Sequence, residues 1–228
     1  MKKPIIIVFL GPDGSGKSTL SREIAQELEK RGFKVQYLWW LSGENTHLRR
    51  LIRKLYSPKQ LPIEVTEKTK TTPKNKSIIA MLYSWFYPRV VFLEYIRFGI
   101  MKVVLPRFIK KYDFIVLDRY IYDVRLALSK EFKTSFRYLR RLTKVLPSPD
   151  LIFFIEVSPE VAYQRKKEEL ESIEKTKKLF KNYQQLYFDV LREMGDKVIK
   201  VNNDGELMNS KIVILNELSK YWGDKNER

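Results

Sequence analysis

The chain has 228 residues, is 44% apolar and 31% charged, and carries 44 Lys or Arg against 27 Asp or Glu, a formal charge of +17. That length suits one domain with a proper core, and the composition is that of a globular protein, which excludes a disordered chain. With no cysteine and a single histidine, His47, disulfide scaffolds, cysteine-ligated zinc, thiol nucleophiles and paired-histidine metal sites are excluded as well, so any chemistry must run on carboxylates, hydroxyls, Lys and Arg.

Ile5–Leu10 is a continuous apolar run, the pattern of a strand covered on both faces. It leads into a glycine loop rather than a small-residue cleavage site, so it is not read as a targeting peptide. Lys17–Arg31 places Leu20, Ile24 and Leu28 at i, i+4 and i+8, a helix with Gly32 as its stop. Lys34–Trp40 is the second strand. Residues 45–76 hold nine Lys or Arg against two acids, and within them about 57–77, with Pro58, Pro62 and Pro73, reads as an exposed loop or mobile basic insert. Residues 78–109 are apolar but interrupted by Arg89, Glu94, Arg97, Lys102 and Arg107, too charged for a membrane span. Phe114–Leu117 is the third strand, followed by a second basic stretch, residues 125–145, with seven Lys or Arg and one acid. Leu151–Val157 is the fourth strand, and Ser158-Pro159-Glu160 has the form of an N-cap, a first-turn proline and an acid at the positive helix end. Val198–Val201 is the fifth. Strands alternating with helices predict an α/β fold: a five-stranded parallel sheet with helices on both faces.

Between the first strand and the first helix, residues 11–19 read Gly11-Pro12-Asp13-Gly14-Ser15-Gly16-Lys17-Ser18-Thr19. Gly11, Gly16, Lys17 and Ser18 meet the phosphate-loop spacing G-x-x-x-x-G-K-[ST]. Glycines let backbone N–H groups converge on phosphate oxygens, and the following helix directs its positive end at them. In this motif Lys17 reaches the β- and γ-phosphates and the Ser18 hydroxyl ligates Mg²⁺. The nine residues are therefore the candidate ATP-binding segment. Asp118, at the end of the third strand, falls on the carboxyl edge where parallel sheets bind ligands and is a second candidate for Mg²⁺; taken alone, it reads equally well as an N-cap.

Asp118-Arg119-Tyr120 downstream of this loop resembles the thymidylate kinase family of nucleoside monophosphate kinases. Pro149-Asp150-Leu151 leading into a strand, then Ser158-Pro159-Glu160-Val161-Ala162 and Arg165-Lys166-Lys167-Glu168, follow in the family's order. The resemblance implies one P-loop NTPase kinase domain over residues 1–228, with a helical lid at about 158–176. It implies transfer of a phosphoryl group from ATP, with Mg²⁺, to a phosphorylated acceptor, thymidylate first, giving dTDP. By the same resemblance Asp13 faces the acceptor's sugar hydroxyl, Arg119 grips its phosphate, Arg97 falls near the arginine that reads the base, and Arg165 is a lid arginine. Trp39-Trp40-Leu41-Ser42-Gly43 stands where family members often carry Arg-x-Pro with Gly and Thr, and Glu171-Ser172-Ile173-Glu174 lacks a second lid arginine.

The candidate catalytic residues are thus Lys17, Arg119 and Arg165, and the candidate acceptor site is Asp13, Trp39, Arg97, Arg119, Tyr120 and Asp123. Core packing competes with this for one or both of Trp39 and Trp40 and for most of Tyr83, Trp85, Phe86, Tyr87, Phe92 and Tyr95, at helical spacing. Arg97 has Glu94 as an alternative partner at i+3, and Asp123, one turn after Arg119 and able to orient an arginine or a substrate hydroxyl, reads nearly as well as a helix-surface aspartate. A cytoplasmic protein is expected. Two other readings stay open: a P-loop kinase of another phosphorylated small molecule, and a nucleotide-dependent protein that docks nucleic acid or an anionic membrane through its basic segments. A homodimer is also left open.

Overall fold

In the computed structural model of the chain, residues 3–40, 92–124, 143–168, 172–194 and 197–221 are described. Five strands, β1 (Ile5–Leu10), β2 (Val35–Trp39), β3 (Phe114–Asp118), β4 (Leu151–Glu156) and β5 (Val198–Asn202), form one sheet in the order β2-β3-β1-β4-β5. Every neighbouring pair is parallel. All five strands fall within a residue of their expected bounds. The register sets Trp39 opposite Asp118, and Asp118 opposite Phe9, so three strand ends meet at the carboxyl edge beside the phosphate loop.

Side chains alternate across a strand, so β1 feeds two cores. Ile6, Val8 and Leu10 join Ile115, Leu117, Ile152, Phe154 and Trp40 on one face. Ile7 and Phe9 join Phe114, Val116, Leu151, Phe153 and Ile155 on the other. This double covering is why the inner strands β1, β3 and β4 are almost continuously apolar. The second face is covered by α1 (Lys17–Lys30), through Leu20, Ile24 and Leu28, and by the C-terminal helix, through Ile214 and Leu218. Gly32, at φ +82, turns the chain out of α1 as its sequence position suggests.

On the first face a helical segment, residues 92–99, passes through a π-turn, Ile100–Val104, into a short helix α2 (Leu105–Phe108). After β4 come α3 (Pro159–Arg165) and α4 (Ile173–Met194), the latter placing Tyr183, Leu186 and Val190 on the first core. The last helix, α5, is Leu207–Ser219. Asp150 accepts from the Ile6 backbone N–H at 2.8 Å and pairs with Arg107 at 3.2 Å, tying the entry of β4 to β1 and α2. Among the described residues no helix is long and apolar enough to cross a membrane. The basic segment 45–76, residues 125–142 of the second one, His47, and Tyr83, Trp85, Phe86 and Tyr87 lie outside the described residues. Phe92 and Tyr95 are core, as their spacing favoured.

Candidate active site

The phosphate loop hangs between the end of β1 and the start of α1, and its glycines are demanded by backbone shape and by neighbours. Gly14 has φ +84, and a Cβ there would stand 2.8 Å from the Ala162 carbonyl oxygen of α3. Gly16, at φ +82, is the N-cap of α1 with no side-chain cap, and its Cβ would stand 2.5 Å from the Asn203 amide nitrogen. The loop is thereby pressed onto α3 and onto the end of β5, while the first N–H groups of α1 point to the loop side. The Asn203 side chain, itself buried, donates to the Ser15 carbonyl at 2.8 Å and lies 2.9 Å from Ser210 Oγ, which fixes the loop from behind.

Lys17 is buried. Its ammonium donates to the Pro12 carbonyl at 3.1 Å and to Asp13 Oδ1 at 3.2 Å. Burial lowers its pKa, and Arg119 adds to this, against the pull of Asp13, Asp123 and Asp118. For Asp13 burial works upward, but Lys17 and Arg119 together hold the carboxyl below its ordinary value.

Asp118 ends β3 with a side chain that is 1% exposed. Tyr37 of β2 donates to its Oδ2 at 3.4 Å, and its Oδ1 is buried without a hydrogen-bond partner. Ser15 Oγ is in the same condition. A buried carboxylate oxygen left unpaired costs about 1–3 kcal/mol, so Asp118 suits a position where a hydrated cation or a ligand completes its bonding. Among the described residues no group of three or more His, Cys, Asp or Glu could hold a metal. A Mg²⁺ site built from one carboxylate, one hydroxyl and substrate phosphates does not need one, and Asp118 with Ser18 offers that donor set.

Arg119, the next residue, adopts φ +68, a left-handed conformation that is costly for a residue with a Cβ. The turn throws its guanidinium back over the sheet edge into three contacts. Nη2 donates to Asp13 Oδ1 of the phosphate loop. Nη1 donates to Asp123 Oδ1 at 2.9 Å and to the Tyr183 hydroxyl of α4 at 2.9 Å. Burial opposes the charge, but Asp123, Tyr183 and Asp13 raise the arginine's pKa above its ordinary value. Asp123, buried against Arg119, is pushed up by desolvation more than its neighbouring cations pull it down. Asp123 is therefore no helix-surface aspartate: it is the buried partner of Arg119.

Behind the loop, Ser158 caps α3, accepting from the Val161 N–H at 3.4 Å, and its own N–H donates to Asp204 at 2.6 Å. Arg165, exposed at the end of α3, reaches the Gly205 carbonyl at 3.4 Å. Glu160 of α3 pairs with Lys177 of α4 at 3.0 Å.

Of the expected site residues, the structure brings together Lys17, Asp13, Arg119 and Asp123, with Asp118 next in the chain to Arg119. Trp39 is 46% exposed at the same edge, whereas Trp40 is fully buried, edge-on to Phe98 and Tyr120 at 5.4 and 4.6 Å. Tyr120 departs from its expected place at the acceptor: its ring is core, 1% exposed, and its hydroxyl donates to the Pro147 carbonyl at 3.0 Å. The physical reason is the turn at Arg119, which sends the following side chain down into the apolar layer. Arg97, 63% exposed, takes its alternative partner, Glu94, at 3.3 Å. Two residues escaped the sequence reading, Tyr183 and Asn203. Tyr183 had a signal, since it shares the apolar stripe of α4 with Phe180, Leu186 and Val190, where a buried hydroxyl requires a partner; Asn203 had none.

A sequence profile described as thymidylate kinase matches residues 100–212. A thymidylate kinase from Leptospira interrogans is 24% identical over 209 residues, spanning 86% of this chain and 88% of the relative. A thymidylate kinase from Caenorhabditis elegans is 26% identical over 168 residues, 72% of this chain and 68% of the relative. The crystal structure of thymidylate kinase from Ehrlichia chaffeensis superimposes with a TM-score of 0.55 at 16% identity, covering 95% of this chain and all of that one, a likeness of fold.

Proposed function

We propose that this chain is a member of the thymidylate kinase family and transfers the γ-phosphoryl group of ATP to thymidylate, giving dTDP and ADP. The observation that carries this reading is Arg119. It is bonded at once to the phosphate loop through Asp13 and to Asp123 and Tyr183 on the other side, so a phosphate gripped by Arg119 lies next to one cradled by residues 11–19.

An acceptor phosphate oxygen is already an anionic nucleophile, so in-line attack on the γ-phosphorus needs no general base. Catalysis is then positioning and charge neutralisation. Lys17 follows the charge on the β- and γ-phosphates, and the loop N–H groups hold the remaining oxygens. Ser18 and Asp118 would hold Mg²⁺, which neutralises charge on the β- and γ-oxygens when bound. Arg119 orients the acceptor phosphate, using the fork geometry that lysine lacks. Asp13 takes the sugar hydroxyl, and exposed Trp39 flanks the base. Arg97 reaches a base only by leaving Glu94, an exposed pair worth no more than about 1 kcal/mol. Residues 1–228 then make one cytoplasmic kinase domain in which the segment of about 158–176 is the lid, and Arg165 exchanges the Gly205 carbonyl for the phosphates of ATP.

The test offers thymidylate, uridylate, cytidylate and purine monophosphates together with Mg-ATP and separates the products by chromatography. Thymidine diphosphate should dominate, because a site that hydrogen-bonds one base rejects others by orders of magnitude. If ATP binds and no nucleoside diphosphate forms, the acceptor is not a nucleotide.

A further inference from the structure

We propose that Tyr183 is a positioning residue for Arg119, holding the guanidinium in the plane from which it meets the acceptor phosphate. The inference deepens the function proposed above and rests on it. Nη1 of Arg119 carries two hydrogens, and each has its own acceptor at 2.9 Å, one on Asp123 and one on the Tyr183 hydroxyl. Two acceptors on one nitrogen fix the rotation of the planar group. The Nη2 edge then faces Asp13 and the phosphate loop.

The chemistry of the second acceptor matters. Arg119 already touches two carboxylates, Asp13 and Asp123. A third would add further repulsion for a phosphate. A phenol oxygen fills the remaining hydrogen without adding charge. It stays protonated there, since burial, with Asp123 nearby, pushes the Tyr183 hydroxyl well above its ordinary value. The ring is anchored independently of the arginine. Tyr183 is largely buried on α4, in the core cluster that also holds Phe154, Leu186 and Val190. One turn earlier Phe180 packs on Val157 and Ala162, so α4 presents the hydroxyl from a fixed base.

The experiment compares Tyr183→Phe, which removes one oxygen and keeps the ring, with Tyr187→Phe on the same helix. Tyr187 packs on Phe154 at 4.8 Å and serves as the control. Loss of a hydrogen bond to a charged group should lower kcat/KM for thymidylate about tenfold in Tyr183→Phe. The KM for ATP should not change, and Tyr187→Phe should match the wild type. Unchanged kinetics for Tyr183→Phe, or KM values for ATP and thymidylate rising together, overturn the proposal and leave the kinase reading standing. Nitrogen-15 NMR of the Arg119 side chain needs no acceptor. Slow guanidinium rotation should resolve Nη1 from Nη2 in the wild type and be lost in Tyr183→Phe. Identical spectra overturn the proposal even where the wild type is found to use another acceptor, an outcome that would overturn the thymidylate reading by itself.

Discussion

The donor and acceptor sides of the site are assembled in opposite ways. On the donor side nine consecutive residues, 11–19, curl between a strand and a helix, and the loop is held by backbone shape, by Ala162 and Asn203 behind Gly14 and Gly16, and by the Lys17 ammonium on its own Pro12 carbonyl. On the acceptor side the partners of one guanidinium are Asp13, 106 positions away, and Tyr183, 64 positions away, together with Asp123 on the following turn. The cradle draws its binding groups from one stretch, braced from behind by α3 and the end of β5, whereas the arginine cluster draws its groups from the loop, the end of β3 and α4. The two sides should therefore fail differently.

Lys17→Ala breaks the donor side most sharply. Loss of a buried cation from the transferring phosphates should lower turnover by at least about 10²-fold, measured as ADP release under saturating substrates. Near-normal turnover would remove Lys17 from the chemistry. Gly14→Ala tests the cradle's shape. An alanine at φ +84 costs about 1–2 kcal/mol for its backbone alone, and its Cβ also presses on the Ala162 carbonyl, so calorimetric affinity for ATP should fall about tenfold or more. Thymidylate affinity should hold. Ser158→Ala removes only the cap of α3 and should cost about 1 kcal/mol in urea unfolding, with ATP affinity unchanged.

The smallest effect sharpens the junction between the sides. The Asp13 carboxyl has its folded pKa depressed below its ordinary 3.8, since Lys17 and Arg119 outweigh burial. Its contribution to stability is thus present above about that pH and is lost as the pH falls through the folded value. Asp13→Asn should flatten the acid-side decline of the melting temperature below about pH 4 relative to wild type. An unchanged slope would show that Asp13 is not coupled to these cations.

The same contrast explains what was legible in the sequence. The sheet was, because the inner strands β1, β3 and β4 are buried on both faces and almost wholly apolar. The edge strands β2 and β5 keep enough apolar residues around Gln36 and Lys200 to be bounded within a residue. The phosphate loop was, because its chemistry is local. Asp123 was ambiguous: a helix aspartate four positions after Arg119 reads the same whether it faces water or a buried guanidinium. Tyr120 was misplaced because the left-handed turn at Arg119, which reverses the direction of the next side chain, leaves no mark in residue type. Asn203 and Tyr183 act across 188 and 64 positions: the apolar stripe of α4 marks Tyr183 as buried but does not name its partner, and nothing in the pattern marks Asn203.

The separation of the two sides at Arg119 is tested most directly by Arg119→Lys, which keeps the charge and removes the fork. ATP and thymidylate would be titrated separately by calorimetry into wild type and variant. Thymidylate affinity should fall about tenfold or more, the loss of one charge-assisted bond of a bidentate pair, with ATP affinity within about twofold of wild type, a change of under half a kcal/mol. Equal losses for both nucleotides, or thymidylate bound as tightly as before, would contradict an acceptor site organised around this arginine.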